Sequence, residues 1–182
     1  MLRWFMKHKL RALGESFGYH VGYAVELIDA DAAAGLALAR LSAAAAYRAD
    51  APAAGWHAAK IVAAMSEDCG PCVQLAVAMA QRAGVPDSDL RAIVTGDVTS
   101  MSADASLGYR FGRAVIARSA DLDGLREEVA RRWGRKALGA VSITIVTTRT
   151  FPALKYALGH GQSCRSVEID GVAIAPGRFA HA

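Results

Sequence analysis

Apolar side chains recur at spacings of three and four residues along most of this chain, the pattern typical of amphipathic α-helices. The clearest stretch lies between Pro71 and Ala83, where one stripe is formed by Val73, Ala76, Val77 and Ala80. Pro71 suits a first helical turn, because its missing amide hydrogen has no intrahelical partner there. Gly84 and Pro86 follow, and such residues commonly end helices. The pattern therefore predicts a helix that begins near Pro71 and ends at Gly84.

The same periodicity predicts helices through most of the remaining chain. They cover residues 21–48 with a break near 29–35, residues 56–65, residues 87–95, residues 102–119, and a segment from 121 or 123 to 133. An alanine-rich linker with Pro52 and Gly55 follows the first of these. Near the carboxyl end, Asp170-Gly171 lies between alternating apolar residues, which predicts a small hairpin. The expected fold is all-α with a short hairpin and a loose tail over residues 175–182.

Composition and charge limit the classes of function. Hydrophobic residues make up 53% of the 182 positions, charged residues make up 21%, and the formal net charge is +4. The basic residues are scattered among acidic ones and no stacking-aromatic motif accompanies them, so nucleic-acid binding is not expected. We expect one domain, with a helical extension (residues 1–50), a helical core (51–165) and a tail (166–182).

The first thirteen residues combine Trp4 and Phe5 with several basic side chains. A basic amphipathic helix of this kind binds anionic membrane surfaces. The simpler expectation is a terminal helix whose Trp4 and Phe5 pack on the core or on a partner subunit. No long apolar run follows the basic residues, and charges interrupt the most apolar region, so neither a secretory signal nor a membrane span is expected. The sequence is interpreted as that of a soluble, cytoplasmic protein.

Candidate chemistry centres on Cys69 and Cys72, which form a Cys-Gly-Pro-Cys motif at the start of the predicted helix. Ser66 or Asp68 is positioned to cap that helix. The thiolate is the reactive form, and a free cysteine with a pKa of about 8.5 is only a few per cent ionised at neutral pH. The helix N-terminus favours the thiolate, whereas the carboxylates of Glu67 and Asp68 oppose it. The sequence leaves the net direction open.

Cys-Gly-Pro-Cys is also the tetrapeptide of thioredoxins, in which a buried strand comes immediately before it. The residues before Cys69 are instead an alanine-rich helix former without alternating apolar positions, from Trp56 to Met65. A thioredoxin-like disulfide oxidoreductase is therefore the lesser alternative.

Two features of the chain carry a different resemblance. An alanine-rich helix precedes the cysteine pair, and the later segment Arg149-Thr150-Phe151-Pro152-Ala153-Leu154-Lys155-Tyr156-Ala157-Leu158-Gly159 is followed by Gln162-Ser163-Cys164. In both respects the chain resembles the alkylhydroperoxidase D-like proteins of the carboxymuconolactone decarboxylase superfamily, over roughly residues 40–165.

The resemblance implies an all-helical bundle that forms homo-oligomers. It also implies thiol–disulfide chemistry, with peroxide reduction as one such reaction. We expect no bound cofactor or metal. In the family, the second cysteine attacks the peroxide, which corresponds to Cys72 here. Cys69 would resolve the product and exchange with a thiol or lipoyl-type reductant. Position at the helix end alone would make Cys69 the more acidic thiol, so the division of labour stays open.

The chain departs from the family's peroxidase motif at two positions. The family has a histidine one turn after the second cysteine, and this chain has Ala76. The family glutamate lies about a dozen residues before the first cysteine, and an ungapped count places His57 there. His57 and Glu67 are therefore the remaining candidates for proton transfer, with capping for Glu67 and packing against Trp56 for His57 as the simpler interpretations.

Local propensity and resemblance disagree over residues 136–148. This segment is rich in β-branched residues and would pass as a buried strand. Helical spacing is nevertheless kept by Leu138, Val141, Ile145 and Thr148, and the resemblance requires a helix. We expect a helix that Pro152 kinks or interrupts.

The third cysteine, Cys164, follows His160 by four residues. The two residues suggest a second reactive unit or half of a metal site, but a structural zinc site needs four ligands, so a packed or idle thiol is the simpler expectation. Three cysteines with one close pair fit a reducing compartment. A function of a different class also fits the sequence: a noncatalytic helical oligomer that binds a small apolar ligand or a membrane surface.

Overall fold

The computed structural model describes residues 1–177 and confirms the all-α prediction. The helices of this part of the chain are α1 (Leu2–Phe17), α2 (Gly22–Ala30), α3 (Ala32–Ala45), α4 (Ala53–Met65), α5 (Gly70–Arg82), α6 (Asp87–Thr95), α7 (Ala103–Ala117), α8 (Leu122–Trp133) and α9 (Arg135–Ala157). A short 3₁₀ helix (Val98–Ser100) precedes α7, and strands β1 (Val167–Ile169) and β2 (Val172–Ile174) form an antiparallel pair.

Helix α4 lies at the centre of the bundle, and every residue from Gly55 to Met65 is buried. One side of α4 joins a hydrophobic cluster with α5, α6 and β1, and another side joins a cluster with α7, α8 and α9. Its small side chains allow neighbours to come close. At the crossing with α7, a Cβ atom on Gly108 would overlap the backbone of Gly55, so the two helices touch through their main chains.

Helix α9 settles the conflict over residues 136–148 in favour of a helix. Its buried side includes Val141, Thr144, Ile145 and Thr148, at successive spacings of three, one and three residues, whereas Ile143 and Val146 are exposed. The β-branched residues therefore serve as one packed stripe of a helix, and tertiary burial overrides their strand propensity. The helix continues through Pro152 and is not interrupted there.

Helix α9 also bears on the expectation that no segment is suited to cross a membrane. Among the described residues, this 23-residue helix is the one whose length and hydropathy suffice for a span. In its most apolar window, 39% of the residues are buried against the rest of the protein. The core helix of a soluble protein meets the same criteria of length and composition.

The predicted hairpin is present. Asp170 and Gly171 both have positive φ, 52° and 70°, as a two-residue turn of this kind requires, and Ile169 pairs with Val172. The side-chain amide of Gln74 on α5 bonds the backbone N–H and C=O of Glu168, so the hairpin is fixed to the helix that carries the cysteines. The sequence predicts a loose tail over residues 175–182. Within this tail Gly177 donates its N–H to the Val94 carbonyl, and residues 178–182 lie outside the described residues.

Helix α1 leaves the two aromatic side chains near its start, Trp4 and Phe5, largely exposed. Trp4 is 68% exposed and Phe5 is 52% exposed, so the expected packing on the core is wrong. The helix is attached near both ends: Lys7 forms an ion pair with Asp29 of α2 at 2.6 Å, and the Arg82 guanidinium lies 3.8 Å from the centre of the Phe17 ring.

Candidate functional site

Cys69 and Cys72 are joined as a disulfide, with their Cα atoms 5.3 Å apart. The local sequence explains this placement, because Cys69 is the N-cap of α5 and Pro71 occupies its first turn. Cys69 is completely buried, whereas Cys72 keeps 8% of its surface exposed. The structure confirms the paired cysteines at a helix start. The expected side-chain cap from Ser66 or Asp68 is wrong, since neither side chain caps the helix.

Asp68 has a structural role that its sequence position did not reveal. It adopts the left-handed conformation, with φ of 48°, and its carboxylate accepts the backbone N–H of Cys164 at 2.9 Å. The Tyr156 hydroxyl donates to the Asp68 carbonyl at 2.9 Å, and the N–H of Gly70 donates to the Gln162 carbonyl at 3.1 Å. The segment after α9 therefore covers the start of α5.

Cys164 is a free, half-buried thiol that packs against the cluster containing the cysteine pair. Burial, together with the nearby Asp68 carboxylate, raises the pKa of this thiol. His160 lies 3.1 Å from a carboxylate oxygen of Glu26. Within residues 1–177, no group of three potential metal ligands is found. The packed thiol is the interpretation that fits Cys164.

Glu67 is held in an ion pair. Its carboxylate accepts a hydrogen bond from Nε of Arg149 on α9 at 2.6 Å. The residue lies in the turn between α4 and α5, so the pair links that turn to α9. Glu67 is not among the residues that line the cavity described below, which places it apart from the exposed face of Cys72.

His57 is buried, and its ring meets the Trp56 ring edge to face, with centroids 4.8 Å apart. Its Nδ1 atom has no hydrogen-bond partner. Burial lowers the pKa of His57 to about 4, with further contributions from the positive charges of Lys60 and Arg48. The imidazole is therefore neutral at pH 7.

A cavity of about 750 Å³ brings Cys72 and His57 into one space. Its walls come from α1, α2, α3, α4, α5 and α9. Ala76, which stands where the resembled family has histidine, also lines the cavity, and Cys69 and Glu67 do not. Of the four candidate site residues, the structure thus brings two to a common cavity. Most of the other lining side chains are apolar, including Leu10, Ile28, Leu38, Leu75, Met79 and Phe151.

A tyrosine hydroxyl lies close to the Cys72 sulfur: Oη of Tyr19 is 4.0 Å from Sγ of Cys72. Burial raises the pKa of Tyr19 above its usual range, and Tyr23 adds to the effect. The Lys155 ammonium lies 4.9 Å from the Tyr19 ring centre and 5.7 Å from that of Tyr23. The sequence does not reveal that Tyr19, Tyr23 and Lys155 lie together, because residues near α2 and residues at the end of α9 are far apart along the chain.

Lys60 was also missed. It is buried on α4, donates from Nζ to the Ala45 carbonyl at 2.8 Å, and lies 4.8 Å from the Trp56 ring centre. Burial lowers its pKa to about 8. The sequence carried one signal for it, a charged residue inside an otherwise apolar, alanine-rich helix.

A scan of protein-family models, a search of curated proteins and a search of solved structures each found no match to this chain. The resemblance to alkylhydroperoxidase D-like proteins therefore rests on the residues quoted above and stays a prediction.

Proposed function

We propose that this protein is a thiol–disulfide redox protein that cycles Cys69 and Cys72 between dithiol and disulfide, with organic peroxide as the oxidant it reduces. The observation that carries the proposal is the location of the pair. The two cysteines are at bonding distance at the start of α5, and one of them, Cys72, faces a cavity of about 750 Å³.

The unequal burial of the two sulfurs supports a division of labour. Cys72 lines the cavity, whereas Cys69 is completely buried, so a substrate in the cavity meets Cys72 first. The Cys72 thiolate attacks the peroxide oxygen; the O–O bond breaks, the alkoxide takes a proton to become an alcohol, and Cys72 becomes a sulfenic acid. The Cys69 sulfur then attacks the Cys72 sulfur, the S–O bond breaks and the disulfide forms, and the proton of the Cys69 thiol leaves with the hydroxyl group as water.

Two electrons have to return to the pair in each cycle. A thiol or lipoyl-type dithiol supplies them by attacking the disulfide, and the cavity gives access to the Cys72 sulfur. Attack there releases Cys69 as the leaving thiolate. A second thiol of the reductant then displaces Cys72 from the mixed disulfide. The reductant therefore needs an arm narrow enough to enter the cavity.

Proton supply follows from the positions of the polar groups. The hydroxyl of Tyr19 is 4.0 Å from Cys72 Sγ, while Glu67 is engaged by Arg149 outside the cavity lining. His57 lines the cavity but is neutral at pH 7, given its pKa of about 4. In this proposal Tyr19 donates the proton to the leaving alkoxide. Glu67 and His57, the candidates for proton transfer in the sequence, then have structural roles instead.

Single cysteine variants test the proposal. The reduced protein is mixed with cumene hydroperoxide, and peroxide loss and protein sulfenic acid are measured. We expect Cys72→Ser to consume no peroxide and Cys69→Ser to stop at a trappable sulfenic acid on Cys72. Cys164→Ser is the matched control and should behave as the wild type. Equal peroxide loss by Cys72→Ser and wild-type protein would refute the mechanism.

The volume of the cavity and its largely apolar walls favour a second candidate function, the binding of a small apolar ligand without catalysis. The cysteines separate the two candidates, because a binding protein should retain ligand affinity when Cys69 and Cys72 are both replaced by serine.

Self-association is part of the proposal. Trp4 and Phe5 are exposed on α1, and large apolar side chains grouped on a surface are typical of contacts between subunits. We expect a homo-oligomer in light-scattering measurements and a smaller assembly for Trp4→Glu. A wild-type monomer at all concentrations would contradict this part of the proposal.

A further inference from the structure

The cavity is mostly apolar, but two of the residues that line it each have a buried polar atom without a hydrogen-bond partner. His57 is 5% exposed and its Nδ1 atom has no hydrogen bond; Thr148, on α9, is 6% exposed and its Oγ1 atom has none. Both residues line the cavity. A buried polar atom without a partner is destabilising, so a ligand that offers a hydrogen-bonding head group gains by satisfying these atoms.

The charge of the lining is one-sided. It includes Lys60, Arg48 and Lys9, and over residues 1–177 no aspartate or glutamate lines the cavity. Lys60 is the buried member, and its contacts are the neutral Ala45 carbonyl and the Trp56 ring. A buried ammonium normally has an anionic partner. The cavity therefore complements a ligand with a negative charge.

We infer that the cavity binds a single-chain amphiphile with an anionic head group, such as a long-chain fatty acid, with the head at Lys60 and the alkyl chain along the apolar walls. Leu10, Leu38 and Phe151 belong to those walls. This inference deepens the second candidate function and does not require the cysteines to be redox-active. An acyl chain with an anionic head occurs as a free fatty acid or as a lysophospholipid, and the test below separates these sources.

Binding to hexadecanoate and to hexadecan-1-ol provides the decisive comparison, because the two ligands share an alkyl chain and differ in the head group. We expect hexadecanoate to bind wild-type protein about tenfold more tightly in isothermal titration calorimetry, since a charge-assisted hydrogen bond is stronger than a neutral one. Lysophosphatidylglycerol with the same acyl chain is the third ligand. Tighter binding of this lipid than of hexadecanoate would identify a membrane lipid as the source.

Lys60→Met tests the position of the head group. We expect this variant to lose the preference for hexadecanoate over hexadecan-1-ol while keeping its affinity for the alcohol. Lys136→Met is the matched control, because Lys136 is an exposed lysine on α9 that does not line the cavity, and it should retain the preference. Circular dichroism and a melting curve establish that each variant is folded.

A pH series gives the same information without any substitution. In the disulfide form Cys72 carries no ionisable thiol, His57 has a pKa of about 4, and burial keeps Tyr19 and Tyr23 protonated. Lys60, with a pKa of about 8, is therefore the buried group that changes charge between about pH 7 and pH 9. We expect hexadecanoate affinity to fall over this range and hexadecan-1-ol affinity to stay constant.

The outcomes separate this inference from the proposals before it. If both ligands bind equally well, the cavity is a binding site but the anionic head group is wrong. If neither ligand binds, the inference and the second candidate function both fail. Neither result affects the redox proposal, because peroxide reduction is measured separately.

Discussion

The buried, neutral state of His57 leads to a prediction about acid stability. In the folded protein its pKa is about 4, compared with 6.5 for an exposed histidine. Between these values the unfolded chain binds a proton that the folded chain does not, so the free energy of unfolding decreases as the pH falls. The contribution of neutral His57 to the free energy of unfolding is fully present above about pH 6.5, and it is lost progressively as the pH falls towards 4.

The size of the effect follows from the difference in pKa. A shift from 6.5 to about 4 corresponds to about 3 kcal/mol of unfolding free energy. Carboxylates also respond to acid, so the effect has to be measured as a difference. His57→Phe serves as the reference, because it removes the titrating ring while keeping an aromatic contact with Trp56.

Urea unfolding, followed by circular dichroism, gives the free energy at several pH values for both proteins. Between about pH 7 and pH 4.5 we expect the wild type to lose about 2 kcal/mol more than His57→Phe, which is most of the full effect. NMR titration of the imidazole provides an independent value of its pKa. Equal losses in the two proteins, together with an imidazole that titrates near 6.5 in the folded state, would refute the burial argument and restore His57 as a proton carrier at neutral pH.

Three further predictions concern packing and charge. Gly108→Ala should lower the free energy of unfolding by about 2 kcal/mol or more, because its Cβ would meet the backbone of Gly55. Gly124→Ala, at an exposed position of α8 with open space for a Cβ, should raise it by about 0.5 kcal/mol. Thr148→Val should raise the free energy of unfolding by about 1 kcal/mol in the ligand-free protein, since it removes a buried hydroxyl without a partner. Burial of Lys60 should make the wild type gain about 2 kcal/mol relative to Lys60→Met between about pH 8 and pH 9.5, because the unfolded chain binds more protons there. Urea unfolding measures the free energy in all three cases. A Gly108→Ala variant as stable as the wild type would contradict the packing argument, and a destabilised Thr148→Val variant would contradict the argument from the unpartnered hydroxyl. Equal changes with pH in the wild type and Lys60→Met would contradict the argument from burial of Lys60.

Local signals in the sequence predict much of this fold. Helix α5 begins at the proline-containing motif and ends before Gly84, and the Asp170-Gly171 turn forms the hairpin, since both signals depend on neighbouring residues alone. Periodicity also predicts the break between α2 and α3, which the structure places at Asp31. Helix α9 required more than propensity, because its β-branched residues favour a strand until the tertiary packing is known.

The cavity and most of its polar groups could not be predicted in the same way. Six helices contribute to its walls, and contacts such as the one between Tyr19 and Cys72 join residues 53 positions apart. Sequence analysis identified the cysteine pair and included His57 among the candidates, but it could not show that Cys72 faces a cavity while Cys69 is buried. It also could not anticipate the ion pair between Glu67 and Arg149, which are 82 positions apart.

The central claim is that Cys69 and Cys72 act as one redox couple. The most direct test equilibrates the Cys164→Ser variant in a series of reduced and oxidised dithiothreitol mixtures, traps free thiols and determines their number by mass spectrometry. We expect the two cysteines to change together and reversibly, along a two-electron curve with a slope of about 30 mV per tenfold change in ratio, and we expect cumene hydroperoxide to speed oxidation of the reduced pair. Two thiols that stay free under oxidising mixtures in the folded protein, or that titrate independently of each other, would contradict the claim.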